Sequence, residues 1–358
     1  MISPKRILLV KLRHHGDVLL TTPLIDALTH YFPDSTIDVL IYRETLDMLR
    51  SNPHIAHCFT IDRQWKKQGQ RTRICEEIKL LRALRARHYD TLIHLTESWR
   101  GIGLAHTLGT VQRLAFDYPR RQSWRWRTSF NARIPLPQTP KHNVELQLSI
   151  LRAWNIDVDA AQFPLRFNVL PESDNAVQQK LTAIGWQQEP FVLIHPGARW
   201  FFKCWEDASF AQVIDALRAR GWSIVLTGAP TESEQTMANN ILAQVQSGRN
   251  NIYSLVGQLS LMELAAAIAR ARFFIGVDSV PMHLAAALQT PGIALFGPSK
   301  IHEWSPWQAP ITVFNAADWG ELPHPDSIDT STATRYLSAI PAEEVIRCVV
   351  KRLENVEK

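Results

Sequence analysis

The chain has 358 residues, 46% hydrophobic and 20% charged, with a net charge of +5. That length exceeds one ordinary core and predicts two domains, and the balance of apolar and charged residues is that of a globular protein. No apolar run approaches the ~18–20 residues of a membrane-spanning helix, and Cys58, Cys75, Cys204 and Cys348 have neither paired nor C-x-x-C spacing, which excludes a disulfide framework or a cysteine zinc site as a reading.

The first apolar run, Arg6 to Leu12, reads as a buried strand. Because Lys11 and Arg13 interrupt the apolar residues Ile7–Val10, no secretory h-region is expected, and the chain is expected to be cytoplasmic. Arg13-His14-His15-Gly16-Asp17 forms a tight turn into a helix from Asp17 to His30, where Val18, Leu19, Thr22, Ile25 and Leu28 recur near helical spacing. Pro23 lies too deep for the first turn, so the helix should bend or start late there. The turn has one glycine, not G-x-G-x-x-G; Gly101-Ile102-Gly103 lacks the third, and no P-loop occurs.

Further strands are expected at Thr36–Ile41, Asp90–Leu95 and Val111–Ala115, with a helix from Ile74 to Arg87. The stretch Arg113 to Arg133 interleaves Arg120, Arg121, Arg125 and Arg127 with Trp124 and Trp126, and Trp65, Lys66 and Lys67 add to the basic, aromatic character. Arginine and tryptophan together suit an anionic sugar, a phosphate-bearing membrane surface or single-stranded nucleic acid; a solvated charged loop is the plainer alternative. A helix from Asn143 to Trp154 closes the first domain, and a linker falls within Asp157 to Asp174, where Pro164 and Pro171 interrupt a polar stretch.

A second series of apolar runs follows at Phe191–Ile194, Ile224–Leu226, Ile252–Leu255, Phe273–Val277 and Ile293–Phe296. Strands alternating with helices predict an α/β protein with parallel sheets covered on both faces. After the first of these come His195-Pro196-Gly197-Ala198-Arg199 and then Lys203-Cys204-Trp205, a glycine turn with a cation suited to a leaving diphosphate. Thr227 to Glu232 follows the next strand, and a carboxylate there could accept hydrogen bonds from a ribose. Phe273–Val277 ends in Asp278-Ser279, a helix follows with Pro281 in its first turn, and Ile293–Phe296 ends in Gly297-Pro298-Ser299. This βαβ unit places Asp278, Ser279 and His283 where parallel sheets bind ligands and where a helix N-terminus favours an anion. A helix cap for Asp278-Ser279 and a core position for His283 are the bland alternatives.

The segments KLRHHGDVLLTTPLIDAL, HPGARWFFKCW and GVDSVPMHLAAAL…FGPS resemble the lipopolysaccharide heptosyltransferases, inverting glycosyltransferases of family 9, in order and spacing from Lys5 to the last helix. The resemblance implies a GT-B fold: two Rossmann-like parallel-sheet domains facing a central cleft, residues 1–165 binding acceptor and 166–338 the nucleotide sugar, with 339–358 packing back on the first domain. It implies transfer of L-glycero-D-manno-heptose from ADP-heptose to the second heptose of the inner core, the reaction of the subtype that adds the branch heptose. Asp17 would be the base and Lys203 the cation on the leaving diphosphate. Gly16, His195, Gly197, Lys203, Glu232 (with Glu234 nearby), Leu259, Asp278, Ser279 and His283 would bind donor, and Lys11, Arg13, His14, Arg120 and Arg125 the acceptor. One departure stands out: Val280-Pro281 replaces the glycine most members carry after Asp-Ser/Thr, and Pro281 has no N–H to offer a phosphate.

The same resemblance implies no cofactor, and without D-x-D or metal spacing a divalent metal is at most accessory. The implied partners are ADP-heptose, the anionic lipopolysaccharide core and the inner-leaflet membrane surface, met as a peripheral cytoplasmic protein, with no nucleic acid. Two other readings stay open: another GT-B nucleotide-sugar enzyme, such as an epimerase or a heptosyltransferase for another core position, and a non-catalytic anion binder.

Overall fold

The computed structural model describes residues 1–356. The chain divides into two units, Met1–Phe167 and Asn168–Lys358, a boundary inside the predicted linker and two residues beyond the expected one.

In the first unit the chain runs β1 (Arg6–Val10), α1 (His15–Leu19), α2 (Thr22–Tyr31), β2 (Thr36–Tyr42), β3 (Ile55–Ile61), α3 (Gln70–Arg85), β4 (Thr91–His94), α4 (Arg100–Thr107), β5 (Gln112–Phe116), α5 (Trp124–Ser129), β6 (Ala132–Ile134) and α6 (Asn143–Leu148). The strands form one parallel sheet in the order β3-β2-β1-β4-β5-β6. Ile7, Leu8, Leu9 and Val10 are all buried because β1 lies between β2 and β4 with helices on both faces.

The second unit runs α7 (Pro171–Ala183), β7 (Phe191–His195), α8 (Asp207–Arg218), β8 (Ser223–Leu226), α9 (Glu232–Gln244), β9 (Ile252–Ser254), α10 (Leu261–Arg270), β10 (Phe273–Val277), α11 (Val280–Ala287), β11 (Gly292–Phe296), α12 (Ile301–Trp304), β12 (Ile311–Asn315) and α13 (Ala342–Val356). Its sheet has the order β12-β11-β10-β7-β8-β9, again all parallel. Counted from its own first strand, each sheet reads 3-2-1-4-5-6, the doubly wound order in which ligands bind beside strands 1 and 4. The expected parallel α/β architecture is therefore present twice.

Three strands escape the sequence reading: β3, β6 and β12, all at sheet edges. An edge strand is covered less completely, and β12 is half-buried throughout, so none has the continuous apolar run of a central strand. The expected disturbance at Pro23 is a break into two helices. The helix cannot continue through Pro23 to the Leu19 carbonyl, and the Thr22 hydroxyl donates to that oxygen instead (3.0 Å). The predicted helix Asn143–Trp154 stays α-helical only to Leu148, then tightens into a 3-10 turn that ends at left-handed Asn155.

In the last helix, Val345, Val349 and Leu353 are buried in the second unit's core with Trp205, Phe210 and Ile214. That packing rests on a hydrophobic stripe that matches α8, fixed further by the Trp205 indole N–H donating to the Ile340 carbonyl (3.1 Å). Residues 357–358 of the expected terminal segment lie outside the described residues.

Candidate active site at the strand ends of each unit

In the second unit β7 and β10 are neighbours, with Gly276 opposite His195, so their carboxyl ends bring His195 and Asp278 to the same edge. Lys203 joins them: its Nζ lies 2.5 Å from Asp278 Oδ2, and the two side chains are only 16% and 7% exposed. The lysine is anchored from its C-terminal side. Cys204 and Trp205 are buried, and Arg335 donates to the Trp205 carbonyl (2.8 Å) and to Asp207 Oδ1 (2.6 Å). The N-terminal side adds a second cation: Lys203 Nζ and the Arg199 guanidinium lie 5.2 and 5.7 Å from the Trp200 ring centroid, within reach of its π-face. Two cations gathered at one strand edge suit an anion.

His195 is buried, and burial lowers its pKa to about 4, so the imidazole is neutral at physiological pH. Its Nδ1 shares a hydrogen bond with Thr227 Oγ1 (2.9 Å), and its Nε2 lies 3.8 Å from Glu234 Oε2, a contact that is no ion pair while the ring is neutral. Burial raises the pKa of Glu234 in turn, partly offset by a hydrogen bond from the Ala229 N–H (2.7 Å). Gly197 makes this possible, because a Cβ there would overlap the Glu234 carboxylate. Glu232, the expected ribose ligand, is exposed on the first turn of α9, while Glu234, two residues on, is the carboxylate at the strand ends. Leu259 is half-buried in the turn before Ser260, which caps α10 reciprocally with Glu263.

Ser279 precedes α11 but does not cap it; its hydroxyl donates back to the Val277 carbonyl (3.3 Å). The N-terminus of α11 thus has no side-chain cap, and Pro281 occupies its first turn as expected. The cap alternative for Ser279 falls with that geometry. His283 is buried one turn into α11.

In the first unit the turn after β1 carries the other group. Lys11 is buried, with Nζ 3.8 Å from Asp17 Oδ1. Burial lowers the lysine's pKa, and Asp17 opposes that shift. Gly16 is buried and Asp17 half-buried on α1. Tyr118, just beyond β5, was not singled out by sequence; burial raises its pKa, with Glu97 and Asp17 adding to the shift and Arg13 opposing it. These charges therefore share the carboxyl edge of β1, β4 and β5. His94, at the end of β4, also went unnoticed: it is fully buried against Trp126 and Phe130, and burial lowers its pKa to about 4. A titratable residue ending a buried run was the available signal for both.

Of the remaining acceptor candidates, Arg13, His14, Arg120 and Arg125 are exposed. His15 Nε2 hydrogen-bonds the Glu44 carbonyl (2.7 Å). The Arg/Trp stretch splits: Trp124 is 71% exposed, whereas Trp126 is fully buried in the core. Among the described residues no three His, Cys, Asp or Glu side chains gather as a metal site, and no helix is long and apolar enough to cross a membrane.

The sequence model of glycosyltransferase family 9 (heptosyltransferase) matches residues 77–330. The chain is 39% identical over 344 residues to lipopolysaccharide heptosyltransferase 3 of Escherichia coli, covering 96% of this chain and 98% of that one, and so reaching the N-terminal turn outside the family match. Among solved structures it is similar to a family 9 glycosyltransferase from Veillonella parvula (TM-score 0.83, 24% identity, 98% of this chain and 97% of that one). It is also similar to the E. coli heptosyltransferase WaaC with ADP (TM-score 0.72, 19% identity, 97% and 99% covered). The two structural likenesses speak to the fold, which is of the GT-B class.

Proposed function

Since this chain belongs to glycosyltransferase family 9, the heptosyltransferases, we propose that it moves L-glycero-D-manno-heptose from ADP-heptose to the second heptose of the lipopolysaccharide inner core, as a heptosyltransferase III. The observation that carries the donor half of this reading is the Lys203–Asp278 pair at the adjacent ends of β7 and β10. The donor diphosphate sits there, against Lys203, Arg199 and the uncapped start of α11, with Gly197, His195, Asp278, Ser279 and His283 shaping the pocket. Glu234 supports the reading of a ribose contact better than Glu232, because it is the one that reaches the strand ends.

The reaction is a single displacement. The acceptor hydroxyl oxygen attacks the anomeric carbon, the bond from that carbon to the diphosphate oxygen breaks, and the electron pair leaves with ADP. Asp17 takes the hydroxyl proton. Inversion needs no second carboxylate, since no glycosyl-enzyme intermediate forms. Lys203 stabilises the charge growing on the diphosphate, an effect aimed at the transition state and therefore expressed in kcat. No resident cofactor enters these steps. Lys11, Arg13, His14, Arg120 and Arg125 receive the anionic acceptor. Because that acceptor is lipid-linked, the protein works at the cytoplasmic face of the inner membrane as a peripheral protein.

The test is ADP release from ADP-heptose with purified protein and core lipopolysaccharide lacking only the branch heptose. Release that depends on acceptor and disappears in Asp17→Asn supports transfer and base together. Release indifferent to acceptor would instead mark an enzyme that consumes the donor alone.

A further inference from the structure

Helix α3 is unusual in a doubly wound domain because it buries so little. Of its 16 residues only Leu84 is buried. Ile74, Ile78 and Trp99 are 56%, 43% and 54% exposed, and together they border an open groove of ≈ 610 Å³ between α3 and α4. Exposed large apolar groups gathered on one face mark a surface that meets something.

The net charge around the groove is positive. The two acids of α3 are used internally: Glu76 pairs with Lys79 (2.7 Å) and Glu77 with Arg100 (2.5 Å). Arg71, Arg73 and Arg82 remain exposed on the same helix. The face also continues into the Arg/Trp segment, because the Arg121 guanidinium lies 4.9 Å from the Trp99 ring centroid and Trp124 beyond it is 71% exposed. A second copy of the chain is a poor occupant, since an isologous contact would set this basic rim against itself. Exposed isoleucines flanked by arginines and tryptophans match the boundary of an anionic bilayer, where apolar groups enter the acyl region, indoles lie at headgroup level and bases meet phosphate.

We infer that the α3–α4 groove and its basic rim are the surface by which this protein docks on an anionic membrane, with Ile74, Ile78 and Trp99 inserted. This rests on the proposed lipid-linked acceptor and adds the part of the molecule that meets the lipid. The test is co-sedimentation of the full chain with vesicles of phosphatidylethanolamine and phosphatidylglycerol, against vesicles of phosphatidylcholine alone. Wild type should partition onto the anionic vesicles, and Ile74→Asp/Ile78→Asp should weaken that partition by more than about tenfold. Arg71→Gln/Arg73→Gln should weaken it less and flatten its salt dependence. Transfer to a soluble, de-acylated core oligosaccharide should be unchanged in both variants, while transfer to the same acceptor embedded in vesicles falls. Equal partition of wild type onto both vesicle types, or full retention by the isoleucine double variant, overturns the inference. So does a wild-type dimer in light scattering that the double variant dissolves. Absence of transfer to the soluble acceptor by wild type would defeat the proposed reaction, yet leave the vesicle result to be read by itself.

Discussion

Lys203 and Asp278 stand 75 positions apart in sequence and 2.5 Å apart in space, one supplied by the loop after β7 and the other by the end of β10. Each depends on the other. The carboxylate is buried and requires a cation, and the cation is aimed by the carboxylate.

Replacing Lys203 by Ala should therefore have two separable effects. If Lys203 is the cation on the leaving diphosphate, as proposed, its loss should lower kcat/KM by roughly 10²–10³-fold. Leaving Asp278 buried without its partner should also lower the melting temperature. Asp278→Asn with Lys203 intact should keep more of the activity than Lys203→Ala. Steady-state kinetics beside thermal unfolding of both variants and their double mutant would expose the coupling; strictly additive losses would contradict it.

Asp17→Asn should lower kcat by roughly 10²–10⁴-fold, the range of a positioned general base. Binding of ADP, measured calorimetrically, should hardly change, because the proposed nucleotide site is built from the other unit's strands. A large loss of ADP affinity would place Asp17 in the donor site instead.

The two acids of α9 should behave differently. Glu232→Gln changes an exposed side chain and should alter stability by no more than about 0.5 kcal/mol. Gly197→Ala should act through Glu234, since the added methyl occupies the carboxylate's place and breaks its hydrogen bond to Ala229. It should raise KM for the donor, and Glu234→Ala should reproduce much of that rise. Kinetics against donor concentration at saturating acceptor would distinguish the two glutamates.

Acid should destabilise the fold through two histidines. His94 and His195 titrate near 6.5 when unfolded and at about 4 when folded, because burial disfavours the charged ring. The unfolded chain then binds more protons between these values, so stability is full above pH 6.5, falls as pH drops towards 4, and levels off below. Each histidine contributes about 3 kcal/mol across that window. Asp26 and Glu234, with raised pKa values, work in the opposite sense. Melting temperatures from pH 7 to 4 should show the decline, with a shallower slope in His94→Asn; parallel curves would reject the assignment.

What the sequence made legible follows burial. β1, β7, β10 and β11 announce themselves because both faces are covered and every residue is apolar, apart from the exposed Arg6 that opens β1, the glycines that pack tightly and the His195 that ends β7. Edge strands, half covered, lack that run. The site divides similarly. Asp17, Lys203 and Asp278 stand at strand ends, which a βαβ pattern locates. Glu232 and Glu234 could not be told apart, because residues two apart on a helix face different ways and nothing local says which way the sheet lies. The same holds for Trp124 and Trp126, one exposed and one in the core. In α13, Val345, Val349 and Leu353 pack with Trp205 and Phe210, residues far off in sequence that no local pattern names.

That seat for α13 bears on how the gene could be divided. With its closing helix packed in its own core, the second unit runs unbroken from Asn168 onward, and the polypeptide passes between the units at Phe167. A single nick there would give two contiguous fragments, each with its whole sheet, whose mixing could restore transfer between separately made halves.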